Sequence, residues 1–265
     1  MITSMKDAYS VKGYNVLITG GTQGLGKAMA DGFCECGAKV AFLGRNATKG
    51  AAVVKEIEGK YPGCKIKYYQ ADMTNDEQIK GVVDAVIKDF GRIDILINNA
   101  GVTRFFNSME ADKNGFKDWT DVIDVDLTGY FKMSVFVSKF MKEQGWGSII
   151  NIPSNAADIV NLPQRMVSYS SAKAGANRMT KMLAHEWAPY HIRVNAIAPG
   201  YTDSDLTPEG ENMDELFKFW TEHTPAGRWG KPIEIAALAI YLASEASEQV
   251  TGAVFTIDGG YSLAN

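Results

Sequence analysis

Short apolar runs rich in β-branched residues alternate along the whole chain with longer amphipathic stretches, and this alternation constrains the fold most. Nearly continuous apolar strands separated by helices indicate a parallel sheet that is covered on both faces. We therefore predict an α/β fold with a doubly wound sheet of about seven parallel strands. The predicted strands are NVLIT (15–19), KVAFL (39–43), KIKYYQ (65–70), DILIN (94–98), SIINI (148–152), RVNAIA (193–198) and AVFTID (253–258).

The stretches between the strands have helical periodicity. In DEQIKGVVDAVIKDF (76–90), the apolar residues recur at the spacing that places them on one helix face. No repeat or Pro/Gly/Ser linker interrupts the alternation, so we expect one domain over residues 1–265. The least regular stretch, 201–231, follows a predicted strand at the end where ligands bind in open α/β sheets. We expect it to form a lid over a site.

Composition excludes several classes of partner. The net charge of −4 gives no basic footprint for nucleic acid. No apolar run reaches the ~18 residues that span a bilayer, and the first 15 residues lack a signal peptide's apolar middle. The three cysteines, Cys34, Cys36 and Cys64, have no zinc-site spacing. We expect no metal, no nucleic acid and no membrane partner, and a cytoplasmic protein with reduced thiols.

A glycine cluster follows the first predicted strand and opens a helix. Gly20, Gly24 and Gly26 form the pattern TGxxxGxG. Glycines permit a tight turn and let backbone N–H groups approach a phosphate, and the helix N-terminus favours negative charge. This placement indicates a Rossmann-type, nucleotide-binding turn; the alternative is a structural turn without a ligand.

The end of the second strand bears on the choice of cofactor. An acidic residue there would bind the 2′-hydroxyl of NAD. This chain instead has Gly44, Arg45 and Asn46. An arginine can hold a 2′-phosphate, so the sequence favours NADP(H), with NAD as the alternative. A solvated Arg45 would remove this preference.

A tyrosine lies one helical turn before a lysine in YSSAK, at Tyr169 and Lys173. An ammonium group close to a phenol favours the phenolate, so such a pair can transfer a proton. The four-residue spacing alone leaves two unrelated helix residues as the other interpretation.

From about Lys12 to the C-terminus the chain resembles the short-chain dehydrogenase/reductase family. The matching motifs occur in the family's order. They are TGxxxGxG (19–26), ADM (71–73), NNAG (98–101), INIPS (150–154), YSSAK (169–173), IRVNAIAPG (192–200) and TGAVFTIDGGY (251–261).

The resemblance implies a cofactor site built from several of these motifs. Asp72 would bind the adenine amino group, with the Met73 amide near N1. The Thr202 backbone and the Ser204 hydroxyl would meet the nicotinamide carboxamide. The implied cofactor-binding residues are Gly20, Thr22, Gly24, Leu25, Gly26, Arg45, Asn46, Asp72, Met73, Asn99, Ala100, Gly101, Tyr169, Lys173, Pro199, Gly200, Thr202 and Ser204.

The same resemblance assigns catalytic roles. Tyr169 would be the general acid/base, Lys173 would stabilise its phenolate and hold the nicotinamide ribose, and Ser154 would hydrogen-bond the substrate oxygen. The chain departs from the family at Asp126, because many relatives have asparagine in the N-L-x-G motif. The Asp126 carboxylate could change the lysine's proton relay; alternatively, Asp126 faces solvent or caps the helix locally.

The resemblance also implies an oxidoreductase that acts on a secondary alcohol or its ketone. TPAGRWGKPIEIA (224–236) resembles the sugar-acid and polyol dehydrogenases of the family, including the gluconate 5-dehydrogenase-like members, and NLPQRMVSY (161–169) resembles the mannitol and sorbose reductases. These resemblances imply a polyol, sugar or sugar acid as substrate. A hydroxysteroid or 3-oxoacyl ketone is the alternative within the enzyme class, and a non-catalytic cofactor-sensing regulator is the alternative of another class. Members of this family usually associate through two long helices, so the resemblance also implies a homotetramer. Trp220 and Trp229 belong to the predicted lid, where they pack or contact substrate.

Overall fold

The computed structural model describes residues 4–204 and 213–263. Its centre is one sheet of seven parallel strands in the order β3-β2-β1-β4-β5-β6-β7. The strands are β1 (Asn15–Thr19), β2 (Lys39–Gly44), β3 (Ile66–Gln70), β4 (Ile95–Asn98), β5 (Gly147–Asn151), β6 (Ile192–Pro199) and β7 (Val254–Ile257). The predicted doubly wound α/β fold is confirmed. Each predicted strand end lies within one residue of the observed end.

Helices flank the sheet and connect its strands. They are α1 (Met5–Ala8), α2 (Gly24–Glu35), α3 (Ala47–Lys60), α4 (Asp76–Phe90), α5 (Lys117–Ile123), α6 (Gly129–Gln144), α7 (Val167–Trp187), α8 (Met213–Glu222) and α9 (Pro232–Ala243). A π-helical segment, Asp124–Thr128, joins α5 to α6. The amphipathic stretch at 76–90 forms α4 with the predicted bounds.

Two apolar layers form the core, one on each face of the sheet. The first joins the sheet to α2, α3 and α9, and the second joins it to α4, α6 and α7. Alternate residues of β1 serve the two layers, with Ile18 in the first and Leu17 in the second. Because both faces of the sheet are covered, all five residues of β1 are buried, which explains its continuous apolar sequence.

The strand order reverses at β1. The chain passes from β1 to β2 and β3 on one side, then crosses back to β4 on the other side of β1. The loops after β1 and β4 therefore leave the carboxyl edge of the sheet in opposite directions and open a crevice, where open α/β sheets bind ligands. Within the described ranges, no helix has the length and hydropathy that a membrane crossing requires.

Candidate active site

A cavity of about 720 Å³ lies along the carboxyl edge of the sheet, at the reversal point. It extends from the glycine turn to the segment that carries Trp220 and Trp229. Most residues that the sequence assigned to the site line this cavity. They are Gly20, Thr22, Leu25, Arg45, Asp72, Met73, Asn99, Ala100, Gly101, Ser154, Tyr169, Lys173, Pro199, Gly200, Thr202 and Ser204.

The glycine turn is fixed against the loop after β4. The side-chain amide of Asn99 donates hydrogen bonds to Thr19 O at 3.0 Å and to Gly20 O at 3.2 Å. The Thr19 hydroxyl accepts from the backbone N–H groups of Asn99 and Ala100, both at 2.9 Å. These bonds hold the turn and the NNAG loop in one rigid position at the cavity.

Two of the glycines are required by close backbone approach. Gly20 has φ +69°, and a Cβ there would lie 2.8 Å from Ala100 Cα. A Cβ at Gly26 would overlap Gly20 O and lie 2.5 Å from Asn99 Nδ2. Gly24 and Gly26 form the buried first turn of α2, behind the lining residues.

The start of α2 leaves backbone donors for a ligand. Its N-cap residue, Gln23, makes no side-chain cap hydrogen bond. The first N–H groups of a helix have no partner within the helix, and an anion satisfies them well. The turn that contains Gly20, Gly24 and Gly26, here called the glycine cradle, and this uncapped helix start fit the phosphates of a dinucleotide.

Two basic residues lie beside this turn: Arg45 directly after β2 and Lys49 in α3. Arg45 is exposed and lines the cavity, and its backbone O accepts from Gln70 Nε2 at 3.0 Å. Lys49 Nζ donates to Gln23 Oε1 at 2.6 Å, and Gln23 also lines the cavity. Sequence reasoning missed Lys49; its position four residues after Arg45, in the first turn of α3, was the available signal.

Asn46 and Asp72 have clear local partners. The Asn46 side chain caps α3 by accepting from Lys49 N at 2.9 Å, and Asn46 is not among the lining residues. Asp72 Oδ1 accepts from the N–H and the hydroxyl of Thr74, at 2.9 and 2.8 Å. These bonds hold the Asp72 carboxylate in one orientation at the cavity wall.

Lys173 is almost fully buried, with 3% of its surface exposed. Its Nζ donates to Ile152 O at 3.1 Å and to the Tyr130 hydroxyl at 3.2 Å, and it lies 5.3 Å from the centre of the Tyr169 ring. Burial lowers the pKa of Lys173, but the opposing effects, of which the Asp126 carboxylate is the largest, outweigh it, so the pKa is raised. The structure thus brings Tyr169 and a charged Lys173 together, as the sequence predicted.

Asp126 supplies the charge opposite Lys173. It lies in the π-helical segment, is fully buried, and places Oδ2 3.0 Å from Lys173 Nζ. Oδ1 accepts from Val102 N at 2.8 Å. Burial raises the pKa of Asp126, while Lys173 and the Val102 N–H act in the opposite direction. The alternative that Asp126 faces solvent is therefore wrong.

Tyr130 completes this cluster and was missed by the sequence analysis. The side chain is fully buried, and its hydroxyl donates to Ile152 O at 3.1 Å while it accepts from Lys173. Burial raises the pKa of Tyr130, so the phenol keeps its proton and donates it to the carbonyl. Only its position four residues after Asp126 could have indicated this role.

Ser154 follows β5 and lines the cavity together with Tyr169. Its hydroxyl accepts from Ala156 N at 3.2 Å and donates to Asn155 Oδ1 at a long 3.4 Å. A hydroxyl held by one firm and one weak hydrogen bond can reorient toward a ligand oxygen.

The predicted lid contributes α8 and a group of packed aromatic side chains. Tyr201 stacks on Trp220 with ring centres 4.5 Å apart, and Trp229 lies 5.5 Å from Tyr201. Trp220 is buried and donates to Leu162 O at 3.1 Å. Both tryptophans therefore pack within the lid and also line the cavity. Residues 205–212 of the predicted lid lie outside the described residues.

In the ranges 4–204 and 213–263, no group of three or more His, Cys, Asp or Glu side chains is placed to hold a metal ion.

Comparison with known proteins places the chain among related sequences of similar length. A family model described as Enoyl-(Acyl carrier protein) reductase matches residues 20–262. A sorbose reductase from Candida albicans is 36% identical, over 98% of this chain and 91% of the relative. An NADP-dependent mannitol dehydrogenase from Alternaria alternata is 38% identical, over 98% and 97%. A 3-oxoacyl-[acyl-carrier-protein] reductase from Thermotoga maritima is 40% identical, over 94% and 98%.

Solved structures agree with these relatives. A short-chain type dehydrogenase/reductase from Mycobacterium marinum superimposes with a TM-score of 0.91 at 34% identity, covering 98% of this chain and 99% of the other. A gluconate 5-dehydrogenase from Burkholderia cenocepacia, in complex with NADP and tartrate, gives 0.87 at 31% identity, with coverage of 98% and 99%.

The close approach at Gly26 generates a test of the cradle. Gly26→Ala should abolish NADPH binding and destabilise the protein, because its Cβ overlaps the backbone of Gly20. Gly81→Ala is the matched control: a Cβ there meets nothing within 4 Å, so alanine should stabilise α4 by about 0.5–1 kcal/mol. Fluorescence titration with NADPH and urea unfolding measure both effects. NADPH affinity within two-fold of wild type in Gly26→Ala would contradict the cradle.

Proposed function

The chain belongs to the short-chain dehydrogenase/reductase family, and on that premise we propose that it transfers a hydride between NADP(H) and a secondary alcohol or its ketone. One observation carries the proposal. Ser154, Tyr169 and Lys173 line the same cavity as the glycine cradle, so proton transfer can occur beside a bound dinucleotide. As substrate we propose a polyol, sugar or sugar acid, the class named for the sorbose, mannitol and gluconate enzymes that resemble this chain.

The residues present fit NADP(H). The cradle and the uncapped start of α2 would hold the pyrophosphate, Asp72 and Met73 the adenine, and Arg45 the 2′-phosphate. Pro199, Gly200, Thr202 and Ser204 would hold the nicotinamide end. When bound, the cofactor supplies or accepts the hydride.

Tyr169 is the group that would carry the proton. In ketone reduction its hydroxyl donates a proton to the substrate oxygen, and in alcohol oxidation the phenolate removes that proton. The Ser154 hydroxyl would donate to the same oxygen, which gains negative charge during the reaction. Both side chains lie at the cavity, so a substrate carbonyl can meet them together.

Lys173 would serve Tyr169 and the cofactor from one position. Two of its three donors go to Ile152 O and the Tyr130 hydroxyl. One donor remains for the Asp126 carboxylate or for a ribose hydroxyl. The ammonium charge stabilises the Tyr169 phenolate, and Asp126 and Ile152 O stabilise the ammonium in its buried position. Asp126 therefore acts through Lys173 and positions it.

Three further features belong to this proposal. We propose one domain, with the segment 201–231 as the lid over the substrate. A homotetramer is supported by exposed apolar side chains on α6 and α7, including Phe131, Val167 and Met182. A cytoplasmic location is supported by the three free cysteines.

A 3-oxoacyl ketone is the second candidate substrate. It is favoured by the reductase from Thermotoga maritima, at 40% identity, and by the aromatic side chains at the lid. A cofactor-sensing regulator has less support, because Tyr169 and Lys173 are both present at the cavity.

Turnover depends on the phenol of Tyr169. Tyr169→Phe should lower kcat about 10²–10⁴-fold with NADPH affinity within a few-fold, because it removes the proton donor and keeps the ring. Tyr190→Phe, outside the cavity, is the control. NADPH absorbance should be followed with L-sorbose, D-fructose, a 3-oxoacyl thioester and a steroid ketone. Residual activity above about a tenth of wild type would refute the role of Tyr169; oxidation of NADPH by the thioester alone would favour the second candidate.

Cofactor preference should depend on Arg45 and, to a lesser extent, on Lys49. A charged hydrogen bond to the 2′-phosphate is worth about 1.5–3 kcal/mol, which predicts a roughly 10- to 150-fold preference for NADPH in kcat/KM. Arg45→Ala should remove most of it, and Arg45→Ala/Lys49→Ala should remove the rest. Lys55→Ala takes an exposed charge from the same helix and is the control.

A reversal of preference requires space for a new carboxylate. A Cβ at Gly44 would lie 2.7 Å from Thr22 Cγ2, so Gly44→Asp should be combined with Thr22→Ser and Arg45→Ala. This triple variant should prefer NADH. A wild-type protein that used NADH better than NADPH would show that Arg45 does not bind a phosphate.

A further inference from the structure

Beyond the proton-transfer residues, the cavity wall carries buried polar side chains that the reaction does not use. Asn155 and Asn161 are 3% and 5% exposed, and both line the cavity together with Gln164, Tyr201 and Trp229. They lie on the loop between Ser154 and Tyr169 and on the lid, so they are next to the groups that would meet the substrate oxygen.

The hydrogen bonds among these side chains are weak. Asn161 Nδ2 lies 3.4 Å from Asn155 Oδ1 and 3.5 Å from the Tyr201 hydroxyl. Both distances exceed the usual range of about 2.7–3.2 Å. By contrast, Tyr201 donates to Gln164 Oε1 at 3.1 Å. The two asparagines are therefore held in place without being fully satisfied by the protein.

Three buried polar atoms in this group have no hydrogen-bond partner: Asn155 Nδ2, Asn161 Oδ1 and Trp229 Nε1. Turning both amides by 180° preserves the bond between them and again leaves one unpartnered atom on each. A buried polar group without a partner costs about 1–3 kcal/mol. All three atoms belong to residues that line one cavity, so a ligand there can supply the missing partners after a small turn of each side chain.

The chemistry of the three atoms selects the ligand. The set contains the donors Asn155 Nδ2 and Trp229 Nε1 and the acceptor Asn161 Oδ1, and none of them is charged. A hydroxyl group both donates and accepts, so it can pair with the donors and with the acceptor of this set. A carboxylate only accepts and would leave Asn161 Oδ1 unpaired, and an alkyl or acyl chain would leave all three unpaired. The ring of Tyr201, which is backed by Trp220 and lines the same cavity, offers an apolar surface for the carbon chain of the ligand.

We propose that Asn155, Asn161 and Trp229 form a subsite that binds the hydroxyl groups of a polyol or ketose and so sets substrate specificity. The inference rests on the proposed function and narrows it, because it favours polyhydroxy substrates over 3-oxoacyl ketones. A site that hydrogen-bonds a substrate hydroxyl discriminates strongly against the analogue that lacks it, since its buried polar groups then remain unpaired.

The experiment compares ketones that differ by one hydroxyl group. kcat/KM with NADPH should be measured for 1-hydroxybutan-2-one, butan-2-one and L-sorbose, in wild type, Asn161→Leu and Trp229→Phe. Wild type should prefer the hydroxylated ketones. In each variant the ratio of kcat/KM for 1-hydroxybutan-2-one to that for butan-2-one should fall roughly 2- to 10-fold, the effect of one neutral hydrogen bond. Val160→Ala is the control: its side chain is exposed, next to Asn161 and outside the cavity.

Other outcomes would overturn the subsite. An equal loss on all three ketones would mean that the residues only shape the cavity. Unchanged kinetics would mean that water satisfies the three atoms. Melting temperatures show whether Asn161→Leu has folded. If it has not, Trp229→Phe still tests the subsite, because it removes the indole N–H and keeps an aromatic ring.

Failure of the proposed function has a different signature. If no ketone oxidises NADPH, calorimetric titration of the protein with D-mannitol in the presence of NADP⁺ still tests the subsite. Binding to wild type that weakens in Asn161→Leu supports the subsite, and absence of binding to wild type refutes it.

Discussion

The buried positive charge of Lys173 is the constraint on which the candidate site depends. An ammonium group with 3% exposure is stable only if the protein supplies an opposite charge and hydrogen-bond acceptors. Those groups come from separate parts of the chain: the Ile152 carbonyl just after β5, Tyr130 on α6 and Asp126 in the π-helical segment. Lys173 therefore joins β5, α6 and α7 at one point.

The π-helical segment and Gly101 adapt the structure to this cluster. An insertion of this kind turns the residues before it relative to those after it, and such insertions occur often at functional sites. A Cβ at Gly101 would lie 2.9 Å from Asp126 Oδ2, so the absence of a side chain there leaves room for the carboxylate. The cavity beside the cluster lies at the strand reversal, so the groups proposed for the cofactor and for proton transfer line the same space.

The sequence predicted the sheet and the main lining residues because these depend on local patterns. Strand periodicity, the glycine turn and the YSSAK spacing are short-range signals, and the helix at 76–90 has the predicted bounds. The environment of Asp126 was left open because the π-helical segment interrupts the 3.6-residue period that assigns helix faces. Asn46 was expected at the cofactor, but its side chain caps α3. Contacts with distant segments, which no local pattern encodes, place Lys49, Tyr130, Asn155 and Asn161 at the site.

The most direct test of the Lys173 cluster is the pH profile of kcat/KM for alcohol oxidation, in wild type and Asp126→Asn. Asparagine has nearly the same shape as aspartate, and its side chain keeps a neutral oxygen for Lys173. Burial lowers the pKa of Lys173, and Asp126 is the largest of the opposing charges that raise it. Removing the carboxylate therefore lowers this pKa, and the ammonium that stabilises the phenolate is lost at a lower pH. Asp126→Asn should remain active, with its alkaline decline at a lower pH than that of wild type. Coincident alkaline limbs would contradict the claim that Asp126 maintains the charge of Lys173.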